Sequence, residues 1–447
     1  MKALVAGTGV AGEASARVLI ERGADVTVYD RGPGETLDAL AALGARIVTG
    51  EEPPLAVLDE VTDVVLSPGF APHHPLAEAA VARGLDVYSE PELAWRIRPE
   101  GGAPWLALTG TNGKTTTVTM LRDILAAAGL CTAALGNFGV PLVTAVSAGY
   151  DVLAVELSSF QLHWSRELAP HAGALLNFAE DHLEWHGSLD AYGEAKTRVW
   201  RSGVCVGNLD DDWTAAALKD AHGLHVGFTL APPPPGSFGL DGDVLVDNTS
   251  GEGVELCRVG DLTVPGRHNI ANALAAAALA RLHGVKPAAV AAGLRGYRPE
   301  PHRIAHVATV GGVEYVDDSK ATSPHAANVS LAAYDGIVWI AGGQLKGVSV
   351  DDLVAAHAHR LRGAVLLGVD RAELAAALAK HAPDVPVADI ADTAPEAAMA
   401  EAVAAAARMA REGDTVLLAP VGASKDMYTG YPHRGRAFAA AVAGLAA

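Results

Sequence analysis

Leu106–Met120, LALTGTNGKTTTVTM, runs from an apolar strand pattern through a glycine turn into a helical pattern. Within it, Gly110, Thr111, Asn112, Gly113, Lys114, Thr115 and Thr116 have the make-up of a phosphate-gripping loop. In such a loop backbone N–H groups wrap the phosphate oxygens. The lysine reaches the β and γ oxygens, and the following hydroxyl reaches Mg²⁺. The strict pattern asks for a glycine at 108, where this chain has Leu108. The assignment therefore rests on strand, loop and helix following one another in the required order. An acid to serve the metal is supplied by DVLAVELSSFQL, where Glu156 ends an apolar strand. A lone carboxylate there is costly to bury. A bound Mg²⁺ explains it; a carboxylate capping the next turn is the alternative.

A second glycine loop opens the chain. Gly7-Thr-Gly-Val-Ala-Gly12 follows one strand and starts a helix, and Asp30 ends the next strand. This spacing fits the dinucleotide fingerprint, in which glycines admit a diphosphate to a helix N-terminus and the acid takes ribose hydroxyls. The fingerprint does not say which base follows. A tight turn with close helix–strand packing would need the same glycines.

Around these loops the pattern is α/β. KALVA, DVTVYD, DVVLS and DVY read as strands alternating with the helical GEASARVLIERG, LDALAALG and PLAEAAVARG. That alternation predicts a parallel sheet. The pattern restarts at PWLALTG, with a helix from Lys114 to Gly129 and strands at DVLAVEL and GALLNF. APPPPGSFGLDGD reads as an irregular loop, and HNIANALAAAALARLHG as a strong helix. RPEPHR, 298–303, reads as a linker, and VEYVDD, GIVWIAGG, GAVLLG and DTVLLAP begin a third α/β unit. Three domains are expected, over 1–92, 93–299 and 300–447.

Lys and Arg number 33 against 52 Asp and Glu, a net charge of −19. This argues against nucleic acid or an anionic membrane as partner, while local donors still suffice for small anions. Cys131, Cys205 and Cys257 show no paired or metal-ligand spacing, as expected of a reducing cytoplasm. Neither a signal peptide nor a membrane-inserted segment is expected. With no coiled-coil pattern or apolar stripe, a monomer is expected.

The polar cluster NFAEDHLEWHGSLDAYGEAKTRVW holds His182, His186 and Lys196. Alone, His182 reads as a structural histidine and Lys196 as a solvated lysine on a helix, while for His186 a surface position is one of two equal readings. The order of TGTNGKTTT, ELSSFQL, NFAEDHLEWHGS, PGRHNIANALAAAALA and PHR changes that reading. At this spacing the motifs resemble the Mur ligases of peptidoglycan synthesis, whose relatives include the folylpolyglutamate synthases. The resemblance spans essentially the whole chain. DDSKATSP at 317–324, LLAPVGASKDMYTGYPHRGRAF near the C-terminus and LSPG at 66–69 resemble the D-glutamate-adding branch, and a DNPR-type segment of the diaminopimelate- or lysine-adding branch is absent.

The resemblance implies an N-terminal Rossmann-like UDP-binding domain, a central P-loop ATPase-type domain and a C-terminal Rossmann-like domain that closes over the centre. It implies ATP, two Mg²⁺ sites, D-glutamate and UDP-MurNAc-L-Ala. Lys114, Glu156, His182, Lys196 and Lys320 are implied as catalytic. Thr115, Glu156, His182 and Lys196 are implied metal ligands, the last as a carbamate. ATP is implied to meet the 110–116 loop, Asn269, Asn272, Arg303, Lys320 and Asp318. The UDP-sugar is assigned Val10, Ala11, Asp30, Arg31, Ser67, Gly69, Asn137 and His182. D-glutamate is assigned Thr322, Lys346, Ser424 and Tyr431. Ser323, Ile304, the GGQLKG segment and Tyr431 depart from the expected pattern. Rival readings are an NAD-dependent dehydrogenase built on the first loop, another amide ligase of the family, and a non-catalytic nucleotide-binding protein.

Overall fold

The computed structural model describes all residues except Phe138, Pro265, Pro299, Glu300, Lys346, Gly347, Ala446 and Ala447, together with the side chains of His325 and Val329. The chain forms two compact units, Met1–Arg298 and Pro299–Ala447.

The first unit holds two sheets. Strands β1 (Lys2–Ala6), β2 (Asp25–Asp30), β3 (Arg46–Thr49), β4 (Asp63–Leu66) and β5 (Asp86–Tyr88) form a parallel sheet in the order β3-β2-β1-β4-β5. The order reverses beside β1, and the first glycine loop follows β1. Ligands of open α/β sheets bind at such a reversal, outside the carboxyl ends of the strands. The short RIVT of β3 is a strand that the sequence pattern left unassigned.

The second sheet contains β6 (Trp105–Thr109), β7 (Thr132–Gly136), β8 (Val152–Glu156), β9 (Ala172–Leu175), β10 (Val204–Asn208), β11 (Leu224–Phe228), β12 (Ser237–Asp241), β13 (Val244–Asp247) and β14 (Val254–Arg258). Its order is β14-β13-β12-β11-β10-β9-β6-β8-β7. Only the β12–β13 and β13–β14 pairs are antiparallel. Strand β12 falls inside the stretch read as an irregular loop. The prolines stay outside it, while SFGLD turns back on VLVD around Gly242, whose φ is +60°. Strand β6 is buried throughout, which accounts for Leu108: that position is core strand and not loop.

The helix Lys114–Ala127 packs against Arg267–Leu282 and Pro287–Gly296. The alanine run from Ala275 to Ala278 is fully buried, so this helix is apolar on nearly every side, as a central helix is. A Cβ on Gly293 would lie 2.4 Å from the Ile124 Cα, so that crossing depends on glycine.

The two sheets of this unit share one apolar cluster, which includes Ala3, Leu19, Trp105 and Val155. Their seam is also hydrogen-bonded. The fully buried Glu92 accepts the N–H groups of Arg166, Glu167 and Leu168 and the Arg96 Nε–H.

The second unit carries β15 (Ala305–Val310), β16 (Val313–Asp317), β17 (Ile337–Gly342), β18 (Leu361–Leu367), β19 (Val387–Asp389) and β20 (Thr415–Val421) in the order β15-β16-β20-β17-β18-β19. Only β15 runs antiparallel to its neighbour. Trp339, Leu366 and Leu417 lie in its core. No helix among the described residues is long and apolar enough to cross a membrane.

Candidate functional site

The loop after β6 turns through Gly113, whose φ is +78°. A Cβ there would stand 2.4 Å from the Asn272 Oδ1. Asn272 donates to the Asn269 Oδ1 at 3.2 Å, so the two asparagines of the buried helix form a pair against the loop. On the other side Asn177 braces it. The Asn112 N–H donates to the Asn177 Oδ1 at 2.8 Å, and the Asn177 amide returns a bond to the Asn112 carbonyl at 3.2 Å. The Thr116 carbonyl accepts from Thr119 at 3.0 Å within the helix that follows.

Two amines meet at one carbonyl of this loop. Lys114 Nζ donates to the Gly110 and Thr111 carbonyls, each at 2.9 Å. Lys196 Nζ donates to the Gly110 carbonyl at 2.8 Å. Lys196 is only 2 % exposed, which corrects its reading as a solvated lysine. Burial first, and the Lys114 charge second, hold its pKa well below the usual lysine value, against an opposing pull from Asp181. Tyr192 closes this corner. Its ring lies 4.6 Å from Lys196 Nζ, and its hydroxyl is 3.2 Å from the Thr111 Oγ1.

Glu156 ends β8 at 2 % exposure. The Thr115 hydroxyl donates to its Oε2 at 2.7 Å, and the Asn137 amide to its Oε1 at 3.1 Å. The next helix is capped by Ser158 and Gln161 instead, so Glu156 is not the cap of that turn.

His182 sits at φ +54°, with Asp181 at 3.4 Å from its Nε2 and the Phe160 ring at 4.8 Å. Its ring is 6.2 Å from that of Tyr192. His186 is buried at 8 % exposure with its Nε2 3.0 Å from Ser159 Oγ, which excludes the surface alternative. Burial, then the neighbouring His163, lowers its pKa to about 3, so the ring is neutral.

At the first loop, Gly7 has φ +88°, and a Cβ on Gly12 would fall 1.9 Å from the Gly7 carbonyl oxygen. Close packing therefore demands Gly12 by itself. Asp30 receives the Thr8 N–H at 2.7 Å, the Thr8 hydroxyl, and the Arg31 N–H at 2.7 Å. Burial pushes its pKa up, but these bonds outweigh it and hold the carboxyl below its usual value. Ser67 Oγ donates to the Gly7 carbonyl at 3.1 Å. Val10, at 71 % exposure, and Arg31 are exposed, and Ala11 is half-buried.

In the second unit, Lys320 Nζ stands 5.4 Å from the Tyr431 ring centre. Asp318 is buried, and accepts from the Ser330 hydroxyl and from the Ile304 N–H at 3.3 Å. Burial raises its pKa to about 6, against the pull of the Ser330 bond and the Arg303 charge. Thr322 is exposed and Ser424 buried. Gln344 and Ala423 pair across an isolated bridge, which brings the segment after β17 beside Ser424. Lys346 lies outside the described residues.

Three family models tile the chain: Mur ligase MurD-like, N-terminal domain, over 1–89; Mur ligase middle domain over 108–280; and Mur ligase, glutamate ligase domain, over 302–422. The UDP-N-acetylmuramoylalanine--D-glutamate ligase of Streptomyces avermitilis is 53 % identical, covering 99 % of this chain and 98 % of the relative. The protein of the same name from Thermobifida fusca is 52 % identical over the same shares. This chain belongs to the Mur ligase family.

Solved Mur ligases share its fold. The UDP-N-acetylmuramate-alanine ligase MurC of Thermotoga maritima superposes with a TM-score of 0.58 at 19 % identity, covering 99 % of each chain. MurF of Acinetobacter baumannii gives 0.59 at 19 %, covering 94 % of this chain and 90 % of that one. The three-domain Mur ligase architecture thus includes two sheets that this chain packs into one compact unit.

Tyr192 and Asn177, which were not among the expected residues, contact the 110–116 loop. Both lie within the polar stretch NFAEDHLEWHGSLDAYGEAKTRVW. Two departures from the family pattern have local explanations. Ser323 caps the helix Pro324–Ala332 through the Ala326 N–H at 3.3 Å. Ile304, at φ +44°, presents its N–H to Asp318.

Thr115 and Glu156 offer hard oxygen donors, which suit Mg²⁺. That ion typically takes one or two carboxylates and fills its octahedron with phosphates and water. Among the described residues no three His, Cys, Asp or Glu side chains cluster as a metal site. The Lys196 amine, donating to Gly110, does not serve as a metal ligand in that form.

Proposed function

We propose that this Mur ligase joins D-glutamate to UDP-N-acetylmuramoyl-L-alanine at the expense of ATP, in the cytoplasmic assembly of peptidoglycan precursors. The observation that carries the reading is the 53 % identity, across 99 % of the chain, to a ligase named for this reaction. A carboxylate and an ammonium do not condense in water. Transfer of the ATP γ-phosphoryl to the alanine carboxylate gives an acyl phosphate. The D-glutamate amine attacks its carbonyl, and the tetrahedral intermediate expels phosphate, leaving ADP and the amide. In such transfers the protein chiefly positions groups and neutralises charge.

Lys114 releases its two loop carbonyls and takes phosphate oxygens, while backbone N–H groups from Gly110 to Thr116 wrap the rest. Asn269 and Asn272 border the same nucleotide. Arg303, Lys320 and Asp318 are assigned to the same nucleotide. Thr115 and Glu156 would hold a first Mg²⁺, whose charge offsets that of the phosphates. His182 and Lys196 would hold a second, provided that Lys196 is carbamylated. Burial and the Lys114 charge favour loss of its proton, and the unprotonated amine is the form that adds CO₂. The UDP-sugar is assigned to Val10, Ala11, Asp30, Arg31, Ser67, Gly69 and Asn137. D-glutamate is assigned to Thr322, Lys346, Ser424 and Tyr431.

The test is phosphate release from ATP with UDP-MurNAc-L-Ala and, in parallel, D-glutamate, L-glutamate or meso-diaminopimelate. Release with D-glutamate alone, matched by amide product, is the expected result. Release with diaminopimelate alone would overturn the assignment of the branch.

A further inference from the structure

The loop after β4 belongs to the first sheet, yet two of its carbonyls are held by side chains from the second. The Trp185 indole N–H donates to the Pro68 carbonyl at 3.0 Å, and that of Trp164 to the Phe70 carbonyl at 3.2 Å. The rings are 8 % and 7 % exposed. The two bonds bracket Gly69, a residue with no side chain to hold itself in place. The loop is tied to its own sheet as well: the Ser67 N–H donates to the Ala6 carbonyl at 3.0 Å, and Ser67 Oγ to the Gly7 carbonyl. At the other end, the Trp185 N–H donates to the His182 carbonyl at 3.1 Å. Three hydrogen bonds thus run in series from the His182 turn, through Trp185 and the Ser67–Phe70 loop, to the first glycine loop.

A buried indole seeks a partner for its N–H, and many carbonyls along a domain seam would serve. Here both indoles use the same four-residue loop, on either side of its glycine. We propose that Trp185 and Trp164 are positioning residues that hold the diphosphate end of the UDP-sugar in register with the phosphoryl-transfer end of the second sheet. The proposal rests on the assignment of Ser67, Gly69 and the first glycine loop to that substrate. Neither tryptophan touches the reacting atoms; each acts through the loop carbonyl it holds.

The test removes the N–H, once with a smaller ring and once with the bicyclic ring kept. Trp185→Phe and the isosteric replacement of Trp185 by benzothienylalanine, which lacks only the donor, are assayed in the full chain with each substrate varied in turn. Asp30→Ala serves as the control for the substrate assignment. Loss of one neutral hydrogen bond predicts a KM for UDP-MurNAc-L-Ala raised roughly three- to tenfold, with the KM for ATP and the melting temperature essentially unchanged. An unchanged UDP-sugar KM in the benzothienyl protein, while Asp30→Ala raises it, would overturn the proposal and leave the substrate reading standing. Equal rises in both KM values with a lower melting temperature would also overturn it, reducing the tryptophans to seam packing. An unchanged UDP-sugar KM in Asp30→Ala would overturn the substrate assignment and the proposal with it.

Discussion

Replacing Lys196 by methionine separates stability from activity at this site. The lysine is 2 % exposed and makes one hydrogen bond, to the Gly110 carbonyl. That carbonyl keeps its bond from Lys114 at 2.9 Å when the Lys196 amine is removed, so no buried acceptor is orphaned. The loss is about 1 kcal/mol. Against it stands the removal of a buried amine beside a second ammonium, where an apolar side chain of similar volume is often neutral or stabilising. Lys196→Met should therefore melt within about 2 °C of the wild type at neutral pH. The pH dependence has a definite sign. The folded-state pKa of Lys196 is lowered from 10.5, so between the two values the unfolded chain binds more protons, and stability rises with pH. The cost of the charged lysine is complete below its folded pKa. The methionine variant should gain most in acid and lose its advantage as pH approaches that of the free lysine. Phosphate release should fall at least ~100-fold, the scale of losing a group that stabilises transition-state charge. Thermal melts across pH in CO₂-free buffer, paired with the ligation assay, check both halves. Ligation at the wild-type rate would remove Lys196 from the site. A fall of more than about 5 °C would refute the argument that its charge is a burden to the fold.

Gly113→Ala should cost about 1–2 kcal/mol from the left-handed backbone alone, and more from the 2.4 Å approach to Asn272 Oδ1; ATP binding by titration calorimetry should fail while UDP-sugar binding survives. Asp318→Asn should stabilise the protein above pH 6 by up to about 3 kcal/mol. The folded-state pKa of about 6 lies above the ordinary aspartate value of 3.8, so the protonated acid favours folding in acid and that gain is lost as pH rises; denaturant titrations at pH 4 and 8 should differ in that sense. Glu92→Ala should cost on the order of 3–5 kcal/mol, because three backbone N–H groups and Arg96 lose a buried acceptor; a drop within 1 kcal/mol in chemical denaturation would show that water replaces the carboxylate.

What could be read from the sequence was what is local. The 110–116 loop, the first glycine loop and the strands that feed them are set by short spacings, because a strand, a turn and a helix N-terminus are neighbours along the chain. Lys196 was not legible without the family resemblance. GEAKTRVW is an ordinary helical surface pattern, and only the approach of the Gly110 carbonyl, 86 residues away in sequence, buries that amine. His186 and Tyr192 fail for the same reason. Strand β12 was hidden by the prolines before it, whose turn signal spread over five residues that in fact pair with β11 at Ser237 and Phe238 and with β13 from Phe238 to Asp241. The compact first unit was beyond pattern reading too, since Glu92 looks like any helix-surface acid until its three backbone partners arrive from residues 166–168.

The presence of two glycine loops in one chain follows from where the sheets put them. Each loop follows a strand with parallel neighbours on both sides, β1 between β2 and β4, and β6 between β9 and β8, so each meets a helix N-terminus at a strand's carboxyl end. Their surroundings then diverge. Around the first loop the polar groups satisfy one another: Asp30 is taken up by Thr8 and Arg31, and Ser67 by Gly7. Such a loop suits a ligand that is held and not changed. Around the second loop charge is concentrated: two lysines share the Gly110 carbonyl, and a buried carboxylate receives a hydroxyl and an amide. Those are the groups that an incoming polyphosphate and its cation would engage. In a chain of net charge −19, anion binding is a property of these few donors and not of the surface as a whole.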